Sequence, residues 1–231
     1  MHRYFVSKIV RAWIALCGTA VAAGDLSFEL HCGRLADLNN AYGPYDYSNP
    51  DHFSNKLRIV EKHHFTRNVE FLVKGETGRL IGDIDYTLRA FPNHYKALDA
   101  VGRLELRDGL DATLKPATCY FDRAIKFRPR DANTYVVYGI YLYKAGNNDA
   151  AIEKLLQAVK LAPNSSEANY NLGLILHAAG QSHRAAMYAA EARRLGFPLD
   201  GLIKKLKEAG YWPPAESGDD SSTAATVGDN F

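Results

Sequence analysis

The chain has 231 residues, 28 Lys and Arg against 26 Asp and Glu, and a 47% share of hydrophobic residues. That length can bury a core without help from metals or many crosslinks. The near-even charge excludes the strong basic excess that a nucleic-acid binder needs to neutralise phosphates.

In chain order, Arg3, Lys8 and Arg11 make a basic start, Ala12 to Val21 is mostly apolar, and Ala20-Val21-Ala22 supplies small residues. Residues 1–23 are therefore expected to be a secretory signal peptide, and the product periplasmic or secreted. A basic start without acids also suits mitochondrial import, the rival address. The apolar run is shorter than the roughly 20 residues a membrane span needs, and no second one follows, so no stable span is expected after cleavage. Cys17 follows bulky Leu16, where a lipoprotein signal requires a small residue. Cleavage near Ala22 or Ala23 removes three basic residues and no acid, which leaves 25 against 26. It also removes Cys17, and the remaining even pair in an oxidising compartment, Cys32 and Cys119, is expected to form a disulfide. Such a bond closes a loop of about 90 residues and contributes roughly 4 kcal/mol by chain entropy.

Residues 24–82 are expected to form an N-terminal loop and helical cap. Ala36 to Tyr47 has turn chemistry and aromatics without helical period, which predicts an ordered loop draped on the rest. Pro50 opens a predicted helix with Phe53, Leu57 and Val60 on one face. Thr66 is expected to cap another that carries Val69, Leu72 and Val73. Asp83 to Phe91, followed by Pro92, reads as a further helix, with Asp83 and Asp85 placed to cap it.

Beyond this point the sequence repeats. Gly139 and Gly173, Leu142 and Leu176, Gly146 and Gly180, Ala151 and Ala185, and Ala158 and Ala192 are each 34 residues apart. The segments from Asp131 to Pro163 and from Ser165 to Pro198 resemble tetratricopeptide repeats, with Gly, Ala, Ala and Pro at or near the family's signature positions. The resemblance implies two antiparallel helices per unit, A and B, stacked into an all-α solenoid. Gly139 and Gly173 would let helix A approach the alanine face of helix B. A less regular copy precedes them, with Gly102, Ala117, Ala124 and Pro129. Its surplus residues predict a longer turn through Arg107 to Pro116, with Pro116 in the first turn of helix B. After Pro198, Asp200 is placed to cap a closing helix with Leu202, Ile203 and Leu206 on its apolar stripe. Residues 83–212 are thus expected to be the solenoid with its C-terminal cap. Residues 213–231, with four acids and no bases, are expected to be a disordered tail.

In this family helices A line a concave groove, and such solenoids usually bind partners instead of catalysing reactions. Projected onto this chain, the groove carries Lys96, Asp99, Arg103 and Arg107 from the first copy. The second contributes Asn133, Val136, Ile140, Tyr143 and Lys144, and the third Glu167, Tyr170, Asn171, Leu174 and His177. A peptide with carboxylates for the Arg forks and apolar groups for Tyr143 and Tyr170 would suit this surface. The family's carboxylate-clamp pattern does not match residue by residue, and of its asparagine ladder only Asn171 is present. A second candidate site gathers His52, His63, His64 and His94 with Asp46, Asp83 and Asp85, donor types that suit zinc. Their spacing fits no compact ligand motif, and adjacent His63 and His64 point to different faces. Tyr42, Tyr45 and Tyr47 with the same carboxylates would be the glycosidase alternative, which requires two carboxyls about 5 to 10 Å apart across a cleft. No phosphate loop, nucleophile elbow or His-Glu-x-x-His occurs. The expected function is a non-enzymatic, cofactor-free module that binds a protein or peptide, not nucleic acid. The alternative is a small-ligand, glycan or metal-binding protein, or an enzyme acting on envelope glycans. Asn164-Ser165-Ser166 would accept a glycan only in a eukaryotic secretory route.

Overall fold

The structure, a computed structural model, describes residues 32–35, 38 and 42–213. The expected signal peptide, part of the Ala36 to Tyr47 loop and nearly all of the expected tail lie outside the described residues.

After Tyr47 a helix opens at Pro50–His52 (α1), where the Asn49 side chain accepts the Asp51 N–H. It passes through a π-helical turn at Phe53–Leu57 into Arg58–His64 (α2). The wider turn shifts the apolar register. Leu57 and Val60 are buried, whereas Phe53, expected on the same face, is 52% exposed. The next helix, Arg67–Glu70 (α3), is a single turn. Thr66 makes no cap bond, because its hydroxyl donates to Glu76 instead. After α3, Leu72 takes the left-handed conformation, φ 56°, and the Val73 N–H returns to the Asn68 carbonyl. This turn sends Val69 and Leu72 into the core and leaves Val73 68% exposed, against expectation.

Leu80–Ala90 (α4) begins three residues before the expected start, so Asp83 lies inside it. Asp83 caps the preceding loop, not its own helix. Its fully buried carboxylate accepts from the Glu76 and Thr77 N–H groups, the Thr77 hydroxyl and His64 Nδ1. Burial pushes this carboxyl up, but the hydrogen bonds from Thr77, His64 and Glu76 outweigh it and hold the group below its ordinary range.

Tyr95–Asp108 (α5) starts under the His94 side chain, which accepts the Ala97 N–H. The surplus residues of this copy form the expected long turn: Gly109, a 3-10 segment at Leu110–Ala112, and then Ala117–Phe127 (α6). Pro116 stands one place before the first helical residue, and Glu105 accepts the Ala117 N–H there.

The two regular units follow as Ala132–Lys144 (α7) with Asn148–Leu161 (α8), and Ser166–Ala178 (α9) with Ser182–Arg194 (α10). Asp131, Asn147 and Ser165 cap α7, α8 and α9 with their side chains. Gly146 and Gly180 close α7 and α9 at φ 84° and 78°, a conformation that costs glycine little. The small-residue logic holds at Gly139, where an added Cβ would lie 2.7 Å from Leu155 Cγ and 3.2 Å from the Ala151 carbonyl. Gly201–Glu208 (α11) buries Leu202, Ile203 and Leu206 against α9 and α10. Asp200 precedes it without a cap bond and pairs with Lys204 instead.

One hydrophobic core runs from Phe65 to Leu206. A satellite of Leu57, Val60, Ala90 and Phe91 is covered by Tyr42, Tyr45 and Tyr47. The Tyr45 N–H reaches the Ala90 carbonyl, and Cys32 is bonded to Cys119 as expected. No strand occurs among the described residues, and the architecture is an all-α solenoid.

Candidate partner-binding face

The A-type helices α5, α7 and α9 pack in sequence, α7 touching both others. The basic residues of α5 are partly committed to the fold. Arg103 donates to Asp99 and to the Glu70 carbonyl, and Arg107 donates to Asp108 and to the Leu72 carbonyl. Lys96 approaches the Glu70 carboxylate at 3.8 Å. The carbonyls at the end of α3 lack helical partners, and the two guanidiniums supply them.

The structure brings several expected groove residues together. Arg103, Ile140 and Lys144 meet in a narrow crevice between α5 and α7 that Asp99, Gly102 and Tyr141 also line. Next to it, Arg103, Arg107 and Lys144 border an open depression of about 430 Å³ floored by Phe71, Leu72 and Leu106. Leu106 was discoverable, since it lies three residues from Arg103 on one helix face. Phe71 and Leu72 were not, because only the left-handed turn at Leu72 carries them there.

The remaining expected residues line neither cavity. Asn133 is exposed near the start of α7, Tyr143 and Leu174 are half-buried against the core, and Asn171 donates to the Glu167 carbonyl of its own helix. Tyr170 stacks on Phe197 with ring centroids 4.1 Å apart. His177 Nδ1 lies 2.9 Å from the Ser182 hydroxyl and braces the turn into α10.

The histidines and carboxylates disperse over the junction of the N-terminal segment with the repeats. His94 is fully buried between Tyr47 and Phe65, with Nε2 3.2 Å from Glu61 and Nδ1 accepting from Ala97. His64 stacks on Tyr86 and meets Asp83, His52 accepts the Asp46 N–H, and His63 is exposed. Asp46 is held below the ordinary carboxylate range. Burial raises it, but Ser48, Asn93 and the Arg128 charge prevail. Asp85 pairs with Arg89 and accepts from the Tyr120 hydroxyl. Each of these carboxylates is thus bound to neighbouring groups of the fold. Among the described residues, no group of three His, Cys, Asp or Glu is placed to hold a metal ion.

Residues 139–180 match the family described as TPR repeat. The chain carries a tetratricopeptide repeat. The TPR repeat match spans α7 from its central glycine through α8 and α9 to Gly180. No curated protein matches the chain. Among solved structures, the one titled as the functional characterization of Pseudomonas aeruginosa pilF aligns at a TM-score of 0.51 and 21% identity, covering 68% of this chain and 72% of its own. Two crystal structures of MamA align at TM-scores of 0.39 and 0.40, both at 22% identity, covering 57% and 70% of this chain and 70% and 87% of theirs. At these identities the pilF likeness shows the fold alone. Folds of this TPR type are typically protein-interaction modules.

Proposed function

We propose that this chain is a non-enzymatic binding and assembly module of an extracytoplasmic compartment, which holds a protein or peptide partner along the face of α5, α7 and α9. One observation carries the reading. The crevice between α5 and α7 opens into a depression whose floor is apolar, Phe71 and Leu106 being 58% and 40% exposed, and whose rim is cationic. Apolar anchors with a polar rim are the usual anatomy of a peptide site. Arg103 and Arg107 already donate to Asp99, Asp108 and the end of α3, so Lys144 is the rim cation that a ligand carboxylate would meet first.

The test is affinity capture from an extracytoplasmic extract with the chain and with a Lys144→Glu, Leu106→Ser variant. Arg103 is left intact because it fastens α3. A partner retained by the natural chain and at least tenfold less by the variant is the expected result, about 1.4 kcal/mol or more for anchors of this type. Equal retention by both would remove the face from consideration.

A further inference from the structure

The N-terminal end of the solenoid gathers four basic side chains around one depression. Arg58 and Lys62 are one turn apart on α2, Arg67 opens α3, and Lys96 opens α5; together they line one depression of about 420 Å³. Two carboxylates share it, both engaged: Glu61 with His94 and Glu70 with Lys96. Arg58, Lys62 and Arg67 have no carboxylate partner among the described residues. Four cations against two carboxylates leave the lining of this depression with an excess of two positive charges.

Beside the charge stand apolar side chains that the core does not take. Phe71 lies under Arg67, the guanidinium 5.6 Å from the ring centroid. Phe71 is 58% exposed and Val73 68%, because the left-handed turn at Leu72 throws both outward while it buries Leu72 itself. Val73 lines none of the depressions described above, and Phe71 borders only the open one beside Arg107. A peptide partner is recognised by pockets that receive its side chains. An anionic bilayer is recognised by the reverse arrangement, protruding apolar groups within a ring of Arg and Lys.

We propose that this end of the solenoid, built by α2 and α3, docks on an anionic phospholipid surface. Phe71 and Val73 enter the boundary between headgroups and acyl chains, and Arg58, Lys62 and Arg67 pair with lipid phosphates. No helix among the described residues is long and apolar enough to cross a membrane, so the contact is peripheral. The surface shares Phe71 with the depression beside the α5–α7 crevice, so a membrane and a partner that fills that depression compete for this ring.

The test places an indole at the protruding turn, Phe71→Trp in the full chain, and reads its fluorescence with vesicles of phosphatidylcholine alone or mixed with phosphatidylglycerol. Part of the phosphatidylcholine carries brominated acyl chains. Fluorescence of the chain without the substitution is subtracted, so attachment through any other segment leaves the added signal unquenched. The expected result is a blue shift and bromine quenching with the phosphatidylglycerol vesicles only, both reversed by salt. Adding R58E, K62E and R67E lowers the apparent partition by about a hundredfold. An unchanged melting curve for that variant shows that the loss is not unfolding. The proposal is overturned by absent quenching, by quenching that the charge reversal does not alter, or by quenching abolished by inorganic phosphate at constant ionic strength. The last outcome marks a small-anion site in place of a membrane surface.

Discussion

His94 shows how one side chain can set a pH window. Its Nδ1 accepts the Ala97 N–H, so the neutral ring must carry its proton on Nε2 and donate it to Glu61. A second proton could be added only at Nδ1, against the N–H it caps and the positive end of α5. Burial pushes the His94 pKa down, more than the bond to Glu61 pushes it up. A histidine that is harder to protonate folded than unfolded contributes stability that is fully present above about pH 6.5 and is lost as the pH falls towards the lowered folded value. Melting temperatures measured from pH 8 to pH 5 should therefore decline below neutrality. His94→Asn retains a cap acceptor without the titration, so it should start less stable and decline less. An equally steep decline in the variant would assign the effect to other groups. Asp83 works in a lower window, because a depressed carboxyl loses its contribution only below about pH 4.

At the scale of helices, glycine acts in opposite ways according to what a Cβ would meet. A Cβ added at Gly139 would lie 2.7 Å from Leu155 Cγ across the α7–α8 contact, and Leu155 is fully buried. Gly139→Ala gains up to about 1 kcal/mol of helix propensity but loses about 1–3 kcal/mol to overpacking. A net loss is expected. Gly82 is exposed on α4, and a Cβ added there would meet nothing within 4 Å, so Gly82→Ala should stabilise by up to about 1 kcal/mol. Urea unfolding of the two variants checks both signs together. The same contrast explains what was legible in the sequence. The 34-residue period, Gly146 and Gly180 at the turns, and the Leu202, Ile203 and Leu206 stripe are local patterns that each act within one or two helices, and they lie where expected. The N-terminal cap was read less well for a physical reason. A π-turn in front of α2 and a left-handed Leu72 change the register without any glycine or proline to announce it. Phe53 and Val73 therefore face outward, and Asp83 fastens a loop instead of starting a helix. The candidate face was half legible: Arg103, Ile140 and Lys144 were found by helical position, but the ties of Arg103 and Arg107 to α3 depend on a turn that the pattern does not encode.

At the scale of the whole molecule, the N-terminal segment is fastened to the solenoid by contacts far apart in sequence. Cys32 reaches Cys119 in α6 across a separation of 87 residues, and Lys115 donates to the Cys32 carbonyl. Asp46 reaches Arg128 and Asn93, and the Tyr47 N–H reaches Asn93. The repeats owe little to these ties, since the core through α5 to α11 is built from their own leucines, alanines and tyrosines. The disulfide therefore acts mainly on the unfolded chain, by removing the freedom of a long loop, an effect of about 4 kcal/mol. In a chain of this length each kcal/mol moves the melting temperature by about 2–4 °C. A Cys32→Ser, Cys119→Ser variant, or the natural chain in reductant, should accordingly melt about 8–16 °C lower. The helical circular dichroism at low temperature should barely change, because the helices are held by their own packing. Thermal melts followed at the helical band check both parts. A large loss of helix before heating would instead show that the crosslink holds the solenoid itself together. In that case the N-terminal segment would be part of the structural core and not a strap laid over it.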